Sequence, residues 1–361
     1  MDSGQPPETD TRDRGLPLPV TTAPMEAHAA DALPEGPGWQ FEPKWDGFRC
    51  LAFRSGTEID LRSKSGRPLA RYFPDVVSIL GALPAERFVL DGELVIPVGG
   101  ELSFEALQLR LHPAESRVRK LAGETPAEFI LFDLLFDPEG DILMDRPLRE
   151  RRAALDQFFT ALADTSGLRL SPSTNDRGVA ERWLAGTGTA LDGVVAKRCD
   201  DPYRPDERAF AKVKRLRTAD CVVGGFRYAQ GKKEVGSLLL GLYDADGELD
   251  HVGFTSGFAE MDRAALTARL EALVEPPGFT GRSPGGPSRW STERTGEYQP
   301  LRHELVAEVR YDHVTGDRFR HGTKFLRWRP DKAALQCRMD QLDAPADPER
   351  LATLLGIRDH G

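Results

Sequence analysis

A lysine, an aspartate and an arginine lie within six residues of one another in the stretch FEPKWDGFRC, which runs from Phe41 to Cys50. Lys44 follows a strand-like run, and Asp46 and Arg49 come directly after it. A lysine amine in such surroundings can act as a nucleophile that bonds covalently to a nucleotide phosphate. A solvated lysine at the end of a strand accounts for the same pattern, so this stretch alone leaves both interpretations open.

Two further stretches place like charges on one face of a strand. Asp91 and Glu93 alternate in LDGELV, and Lys212 and Lys214 alternate in FAKVKR. Two carboxylates on one face are costly unless a cation or a hydrogen-bond donor partners them, and the apolar neighbours in the first stretch indicate a buried strand. Two adjacent ammonium groups favour an anion between them, such as a phosphate, and they lower the pKa of a neighbouring lysine.

Three other stretches carry side chains that fit the same chemistry. Phe132 precedes Asp133 in the apolar run FILFDLLF, where an aromatic ring serves either as plain core or as a surface on which a base stacks. Asp192 opens the strand-like run LDGVVAKR, which ends near Lys197. The stretch RWRPDK near the end of the chain is either a basic surface turn or a phosphate-binding group; it contains Arg327, Arg329, Asp331 and Lys332.

The elements that position these residues read as a mixed α and β arrangement up to about residue 217. Short β-rich runs predict strands at FRCLAF, EIDLRS, FVLDGELVI, EFILFDLLF, LRLSPS, DGVVAKR and AFAKVKR. Helices are predicted at PDVVSILGAL, SFEALQLRL, LRERRAALDQFFTAL and DRGVAERWLAG. Strands and helices do not alternate strictly, so we expect an α+β fold of antiparallel sheets with helices packed outside.

A second unit begins near Ala219. Strands are predicted at CVVGGFRYA, LLLGLYD, ELDHVGFT and LVAEVRYDHV, with a hairpin turn at DADGE and one helix at MDRAALTARLEAL. A unit of this size with several strands and one helix is typical of a small Greek-key barrel of the OB-fold type. We therefore expect a disordered tail over 1–15, a first domain over 16–217, an OB-fold domain over 218–342 and a C-terminal tail over 343–361, with a surface loop over 276–290.

Composition narrows the class of protein. The 361 residues carry a formal net charge of -9, which argues against a protein that coats nucleic acid nonspecifically but allows a local basic groove. The four cysteines are far apart, which fits free thiols in a reducing cytosol rather than a zinc site or a disulfide framework. The sequence has neither an apolar run long enough to span a bilayer nor a secretory signal, so we expect a cytoplasmic protein without membrane contact.

Taken together and in order, these stretches resemble the ATP-dependent DNA ligases, a family of covalent nucleotidyltransferases, over about residues 16 to 342. The matching signatures are KWDGFR, SKSGRPL, DGEL, FDLL, DGVVAK, KVK and RPDK. EPKWDG, LDGVVAKR and LRWRPDK look most like the small bacterial C-type ligases. The resemblance implies a nucleotidyltransferase domain of the ATP-grasp-like ligase type, followed by an OB-fold domain.

The resemblance also implies roles for the first motif. Lys44 would be the nucleophile that carries AMP, and Asp46 and Arg49 would position this lysine and the 5′-phosphate of a nick. Glu42 would accept a hydrogen bond from the N6 amino group of adenine. Guanine would present a carbonyl oxygen to that carboxylate at a cost of about 1–3 kcal/mol or more, so ATP is favoured over GTP.

The later motifs would hold the nucleotide and a divalent metal ion. Glu93 would hold the ribose or a metal, Phe132 would stack on adenine, and Asp192 would bind a catalytic Mg²⁺ or Mn²⁺. Lys212 and Lys214 would grip the α-phosphate.

The last motif would act from the second domain. Arg329, Asp331 and Lys332 would orient the departing pyrophosphate, which requires the second domain to close over the nucleotide. The chain departs from the family pattern at two places: Asp192 stands where Glu is usual, and Lys64, in the nucleotide site, stands where Arg is common. Aspartate keeps the carboxylate with one methylene fewer, whereas lysine offers a point charge in place of a fork of donors.

Three functions remain to be compared. The first is an ATP-dependent DNA ligase that seals nicks in duplex DNA during repair, associated with the bacterial nucleoid, acting as a monomer, and with a repair polymerase or primase as a candidate partner. The second is an RNA ligase or an mRNA-capping guanylyltransferase; Glu42 counts against capping. The third is a noncatalytic nucleic-acid-binding module, against which the lysines Lys44, Lys212 and Lys214 count, because a binder needs no nucleophile.

Overall fold

The computed structural model describes residues 15–99, 101–163, 166–186, 191–215, 217–258, 262–285, 297–312, 314–320 and 322–342. The chain divides into two compact units, the first ending at Lys214 and the second beginning at Arg215. Within the described residues, no helix combines the length and the apolar character needed to cross a bilayer. The predicted terminal tails lie outside the described residues, apart from Gly15, as does the 286–290 part of the predicted loop.

Each of the seven runs predicted as strands in the first unit contains a strand, and the described residues hold four further strands that were not among those runs. The strands of this unit are β1 (Ala27–Ala29), β2 (Trp39–Trp45), β3 (Phe48–Ser55), β4 (Glu58–Ser63), β5 (Arg87–Val95), β6 (Pro97–Val98), β7 (Glu101–Leu102), β8 (Glu128–Phe136), β9 (Leu168–Leu170), β10 (Leu191–Arg198) and β11 (Phe210–Lys214).

These strands form two main sheets. One has the order β1-β11-β10-β2 and the other β4-β3-β5-β8-β9, while β6 and β7 form a separate hairpin. Apart from the parallel pairs β1–β11 and β8–β9, neighbouring strands in both sheets run antiparallel. The prediction of antiparallel sheets is therefore confirmed for the first unit.

Helices pack against strands of both sheets. They are α1 (Pro74–Ala82), α2 (Phe104–Arg110), α3 (Glu115–Glu124), α4 (Leu148–Thr160) and α5 (Arg177–Gly186). Leu80, Leu107 and Leu155 from three of these helices are fully buried in the core of the β5 and β8 sheet. Helix α3 was not predicted, because Val118 is its one buried residue and its charged sequence shows little apolar periodicity.

The second unit is built on one antiparallel sheet with the order β14-β13-β12-β16-β19, and β15 pairs with β12. Its elements are β12 (Arg217–Tyr228), β13 (Val235–Tyr243), β14 (Leu249–Thr255), α6 (Arg263–Glu271), β15 (Gln299–Pro300), β16 (Val306–Tyr311), β17 (Val314–Thr315), β18 (Arg318–Phe319) and β19 (Lys324–Trp328). An isolated bridge joins Thr255, the last residue of β14, to Thr323, which directly precedes β19; this contact between the two edges of the sheet fits the predicted OB-fold. Asp262 caps α6 through the amides of Ala264 and Ala265.

Candidate active site

The first motif crosses from one sheet of the first unit to the other. Lys44 lies near the end of β2, and Arg49 lies at the start of β3, with Asp46 and Gly47 between the two strands. A Cβ atom on Gly47 would lie 2.3 Å from the carbonyl oxygen of Leu94, so glycine permits a close crossing over β5. The lysine and the arginine can therefore face one cleft from two different sheets.

That cleft gathers seven of the predicted site residues: Glu42, Lys44, Arg49, Lys64, Glu93, Phe132 and Lys212. Residues outside the prediction complete its wall, notably Met25, Glu26, Lys197 and Phe210. The two sheets thus bring together predicted site residues that are up to 170 positions apart in sequence, from Glu42 to Lys212.

Asp192 and Lys214 join the site through Lys44. The Lys44 Nζ atom donates a hydrogen bond of 2.5 Å to Asp192 Oδ2, and Lys214 Nζ lies 3.5 Å from the same oxygen. Gly193 pairs with Lys44 across the sheet at a register shift, with φ of +147°. A Cβ atom there would lie 2.1 Å from the Val213 carbonyl oxygen, so only glycine fits beside this ion pair.

Arg49 is held by a buried carboxylate. Its Nε and Nη2 atoms donate to the two oxygens of Asp91 at 2.6 and 2.7 Å, and its guanidinium lies 4.4 Å from the centre of the Phe132 ring. Burial alone would lower the pKa of Arg49, but the charge and hydrogen bonds of Asp91 outweigh it and raise that pKa. The sequence argument that Asp91 needs a cationic partner is met by Arg49.

Glu93, in β5, lies directly opposite Arg49, in β3, in the register of the two strands, and it is partly buried. Burial raises the pKa of Glu93 to about 7, although the charges of Arg49 and Lys44 counteract this shift, and the charge of Asp46 adds to it. Because this pKa lies above its ordinary value of 4.5, the folded chain binds the proton more tightly than the unfolded chain. The stability that Glu93 contributes in acid is therefore lost as the pH rises from about 4.5 to about 7.

Glu42 is a buried member of an ion pair, not a surface acid. It is 2% exposed; its Oε1 accepts a hydrogen bond of 2.8 Å from Gln40, and its Oε2 lies 2.7 Å from Lys197 Nζ. The Lys197 ammonium also lies over the rings of Phe132 and Phe210, at 4.7 and 5.1 Å from their centres. Each carboxylate oxygen can accept a second hydrogen bond, so Glu42 keeps the capacity to bind a donor in the cleft.

Two lysines complete the basic side of the cleft. Lys64 Nζ lies 3.0 Å from Glu26 Oε2, which Arg208 also approaches, at 3.5 Å. The pKa of Lys212 is lowered, by burial first and then by the charges of Lys44, Lys64 and Lys214. The like charges that the sequence places on alternating positions do meet near one another.

The last motif lies in the second unit. Arg329 donates two hydrogen bonds to Asp220, at 2.8 and 2.9 Å, and Lys332 donates one to the same carboxylate at 2.8 Å. Arg329 also binds Asp331 within the motif. Arg327 pairs instead with Glu308 at 2.6 Å. Asp220, absent from the sequence prediction, is the acid that organises the two cations.

Two carboxylates near Lys44, those of Asp192 and Glu93, are the candidate ligands for a divalent ion. No group of three His, Cys, Asp or Glu side chains among the described residues is arranged to hold a metal. Asp192 contacts Lys44, and Glu93 lies near enough for Lys44 to influence its pKa. One or two carboxylates completed by phosphate oxygens and water is the donor set that Mg²⁺ prefers.

Sequence reasoning missed the residues that support these side chains. Tyr203 donates to Asp91, Lys197 pairs with Glu42, and Asp220 holds the cations of the last motif. The one available signal was Lys197, a lysine inside an apolar strand, because a buried ammonium requires an anionic partner.

Two family descriptions match this chain. The family described as ATP dependent DNA ligase domain matches residues 22–214, and the family described as ATP dependent DNA ligase C terminal region matches residues 231–332.

Relatives of known name cover nearly the whole chain. DNA ligase C2 of Mycolicibacterium smegmatis is 47% identical over 91% of this chain and 96% of its own length. DNA ligase C of Mycobacterium tuberculosis is 44% identical over 95% of this chain and 99% of its own length. A solved structure from a study of Lig E DNA ligases has a TM-score of 0.52 at 17% identity, over 84% of this chain and 99% of that chain, and supports the fold.

Proposed function

This chain belongs to the ATP-dependent DNA ligases, and we propose that it seals nicks with 3′-hydroxyl and 5′-phosphate ends in duplex DNA through a lysyl-AMP intermediate. The observation that carries the proposal is the convergence of Lys44 with Asp192, Arg49, Glu93 and Phe132 at one cleft. A nucleophile, carboxylates, cations and an aromatic ring are the groups that nucleotidyl transfer requires.

In the first step, the Lys44 amine gives up a proton and attacks the α-phosphate of ATP. A nitrogen–phosphorus bond forms, the bond to the β-phosphate oxygen breaks, and pyrophosphate leaves. We assign Lys212 and Lys214 to the α-phosphate, because their ammonium groups lie near Lys44 and can neutralise the charge that develops.

In the second step, an oxygen of the 5′-phosphate attacks the AMP phosphorus, and the lysine leaves and regains its proton. In the third step, the 3′-hydroxyl attacks the activated 5′-phosphate, a phosphodiester forms, and AMP leaves. All three steps are displacements in line, so positioning and charge neutralisation supply most of the acceleration. We assign the 5′-phosphate to Arg49, which faces the cleft, and the positioning of Lys44 also to Asp46.

The adenosine would lie against Phe132, with Glu42 accepting from the adenine amino group and Glu93 at the ribose or the metal. Lys64 would contact the nucleotide from the opposite wall. A Mg²⁺ or Mn²⁺ ion held by Asp192 and Glu93 would supply further neutralisation of phosphate charge. Ionised Glu93 is the form that binds a cation, so a bound ion would compete with the proton that burial favours on this carboxyl group.

We assign Arg329, Asp331 and Lys332 of the second unit to the orientation of pyrophosphate in the first step. The proposal also includes action as a monomer in DNA repair, at the bacterial nucleoid, next to a repair polymerase or primase. The resemblance to the C-type ligases supports this setting.

The test is the sealing of a labelled duplex with one nick, in the presence of ATP and Mg²⁺ or Mn²⁺, by the wild type and by Lys44→Ala. We expect the wild type to join the all-DNA nick and Lys44→Ala to join none and to take up no label from α-labelled ATP. Duplexes with RNA on either side of the nick test the RNA ligase alternative. Covalent labelling without joining of any DNA nick would retain nucleotidyl transfer but refute the DNA substrate.

A further inference from the structure

Four chain segments meet in a closed ring of hydrogen bonds at the wall of the cleft, which Met25 and Arg49 both line. The backbone amide of Met25 donates to the Tyr203 hydroxyl at 2.9 Å, and this hydroxyl donates to Asp91 Oδ2 at 2.6 Å. Asp91 accepts two hydrogen bonds from Arg49, whose Nη2 atom also donates to the Met25 carbonyl at 3.3 Å. The ring returns to the residue at which it began.

The Tyr203 hydroxyl is fully used by this ring. A hydroxyl has one proton and can accept as well as donate, so it can satisfy Met25 and Asp91 together. Tyr203 is 3% exposed and Asp91 is 0% exposed, so solvent cannot replace either bond. Burial and the charge of Asp91 raise the pKa of Tyr203, which keeps the proton on the hydroxyl at neutral pH.

The aromatic part of Tyr203 has its own support. The guanidinium of Arg151 lies 5.6 Å from the centre of the ring and is fixed by two hydrogen bonds to buried Asp133. The backbone amide of Tyr203 donates to the Met144 carbonyl at 2.8 Å. A phenylalanine would therefore keep the ring in place, and the substitution would remove the hydroxyl alone.

The ring of hydrogen bonds determines which part of Arg49 is offered to the cleft. Asp91 and Met25 engage Nε and Nη2, while Nη1 donates to no acceptor within the part of the chain that the structure describes. Arg49 also lies over Phe132, whose ring borders the same cleft. A guanidinium with two fixed edges presents its remaining donors in a defined direction, which suits a phosphate oxygen.

We propose that Tyr203 is a positioning residue for Arg49: its hydroxyl fixes Asp91 and the Met25 backbone, and they orient the guanidinium toward the 5′-phosphate of the nick. This inference rests on the proposed function, because it takes the phosphate that Arg49 binds to be the one at the nick. Tyr203 itself touches no reacting atom.

The experiment compares Tyr203→Phe with the wild type in separate steps. Label uptake from α-labelled ATP follows the first step, and transfer from preadenylylated enzyme to a nicked duplex follows the second. We expect Tyr203→Phe to slow the second step about tenfold to a hundredfold and to change the first step less than about threefold, because a hydrogen bond to a charged group is lost. Tyr243→Phe is the matched control: it removes another buried hydroxyl, bonded to His303 at 2.6 Å, from the second unit.

A double-mutant comparison separates positioning from general stability. If Tyr203 acts through Arg49, then Tyr203→Phe combined with Arg49→Ala should be no slower in the second step than Arg49→Ala alone. The inference would be overturned if the two substitutions slowed the second step independently, so that their fold-reductions in rate multiply in the double variant. It would also be overturned if Tyr203→Phe and Tyr243→Phe had equal rates in that step. A wild type that joins no nick would instead overturn the proposed function.

Unfolding midpoints from circular dichroism would establish whether each variant is folded at the assay temperature. Asp91→Asn provides a second test of the same ring, because it keeps the shape of the side chain and weakens the grip on Arg49. It should slow the same step as Tyr203→Phe. A defect of Asp91→Asn confined to label uptake from ATP would contradict the proposed route.

Discussion

Replacing Glu42 by glutamine should destabilise the first unit far more than the loss of an ordinary ion pair. Glu42 and Lys197 have side chains that are each 3% exposed, and their charged atoms lie 2.7 Å apart. Glutamine would leave the Lys197 ammonium buried with only a neutral amide and two aromatic rings around it. Removing one partner of a buried pair costs about 3–5 kcal/mol, and we expect Glu42→Gln to fall in this range.

The assay is urea unfolding of the full chain, followed by tryptophan fluorescence and circular dichroism. Glu115→Gln is the matched control, because its pair with Arg119 lies on the surface of α3 with side chains that are 69% and 73% exposed. That exposed pair should contribute less than about 0.5 kcal/mol. The same substitution of glutamate by glutamine in a buried pair and in an exposed pair then isolates the effect of burial.

A second variant tests whether the buried charge is the cause. Glu42→Gln combined with Lys197→Met removes both charges, so the double variant should cost less than the two single variants together, by at least about 2 kcal/mol. The reasoning is refuted if Glu42→Gln costs no more than Glu115→Gln, or if the single costs simply add.

Three further predictions follow from the site. Glu93→Gln should remove the loss of stability, about 1–3 kcal/mol, that the wild type shows as the pH rises from 4.5 to 7; equal pH profiles in thermal unfolding would exclude this role. Gly193→Ala should lower the free energy of unfolding in urea by at least about 2 kcal/mol, because Gly193 has a positive φ and an added Cβ atom would meet a carbonyl oxygen. Gly123→Ala is the control: this glycine lies in a helix with open space around it, so the substitution should be neutral or stabilising. Equal effects of the two substitutions would contradict the steric argument. Asp220→Asn should slow label uptake from ATP about tenfold, because Asp220 accepts hydrogen bonds from Arg329 and Lys332, and should leave the sealing of preadenylylated nicks unchanged. A slowed sealing step would count against the assignment of the last motif to pyrophosphate.

The sequence predicts those elements best whose local pattern agrees with their burial. The run EFILFDLLF predicts a strand, and β8 spans Glu128–Phe136, in which every residue after the first is buried. Helix α3 and strand β19 escape prediction for the opposite reason. Every residue of β19 is exposed or partly buried, so its side chains leave no apolar period to detect.

The candidate site divides in the same way. Motif residues such as Lys44 and Glu93 can be found because chemistry restricts their types and their local spacing. Their supporting partners cannot be found so, because the partners are far away in sequence: Tyr203 is 112 positions from Asp91, and Lys332 is 112 positions from Asp220. Many polar residues in the sequence could act as such a supporting partner. Which of them does so is decided by the packing of the strands, which the sequence pattern does not reveal.

The site also explains how an acidic chain can act on polyphosphates. The whole sequence carries a net charge of -9, yet among the described residues the cleft is lined by five cations and three carboxylates. Two of the three carboxylates, Glu26 and Glu42, are paired with lysines, and Glu93 is half neutral near pH 7. Among the described residues, the lining of the cleft therefore carries more cations than carboxylates, although the chain as a whole is negative. Because binding depends on where the cations lie, net charge governs nonspecific adhesion, while the cations of the cleft are the groups that we assign to the triphosphate.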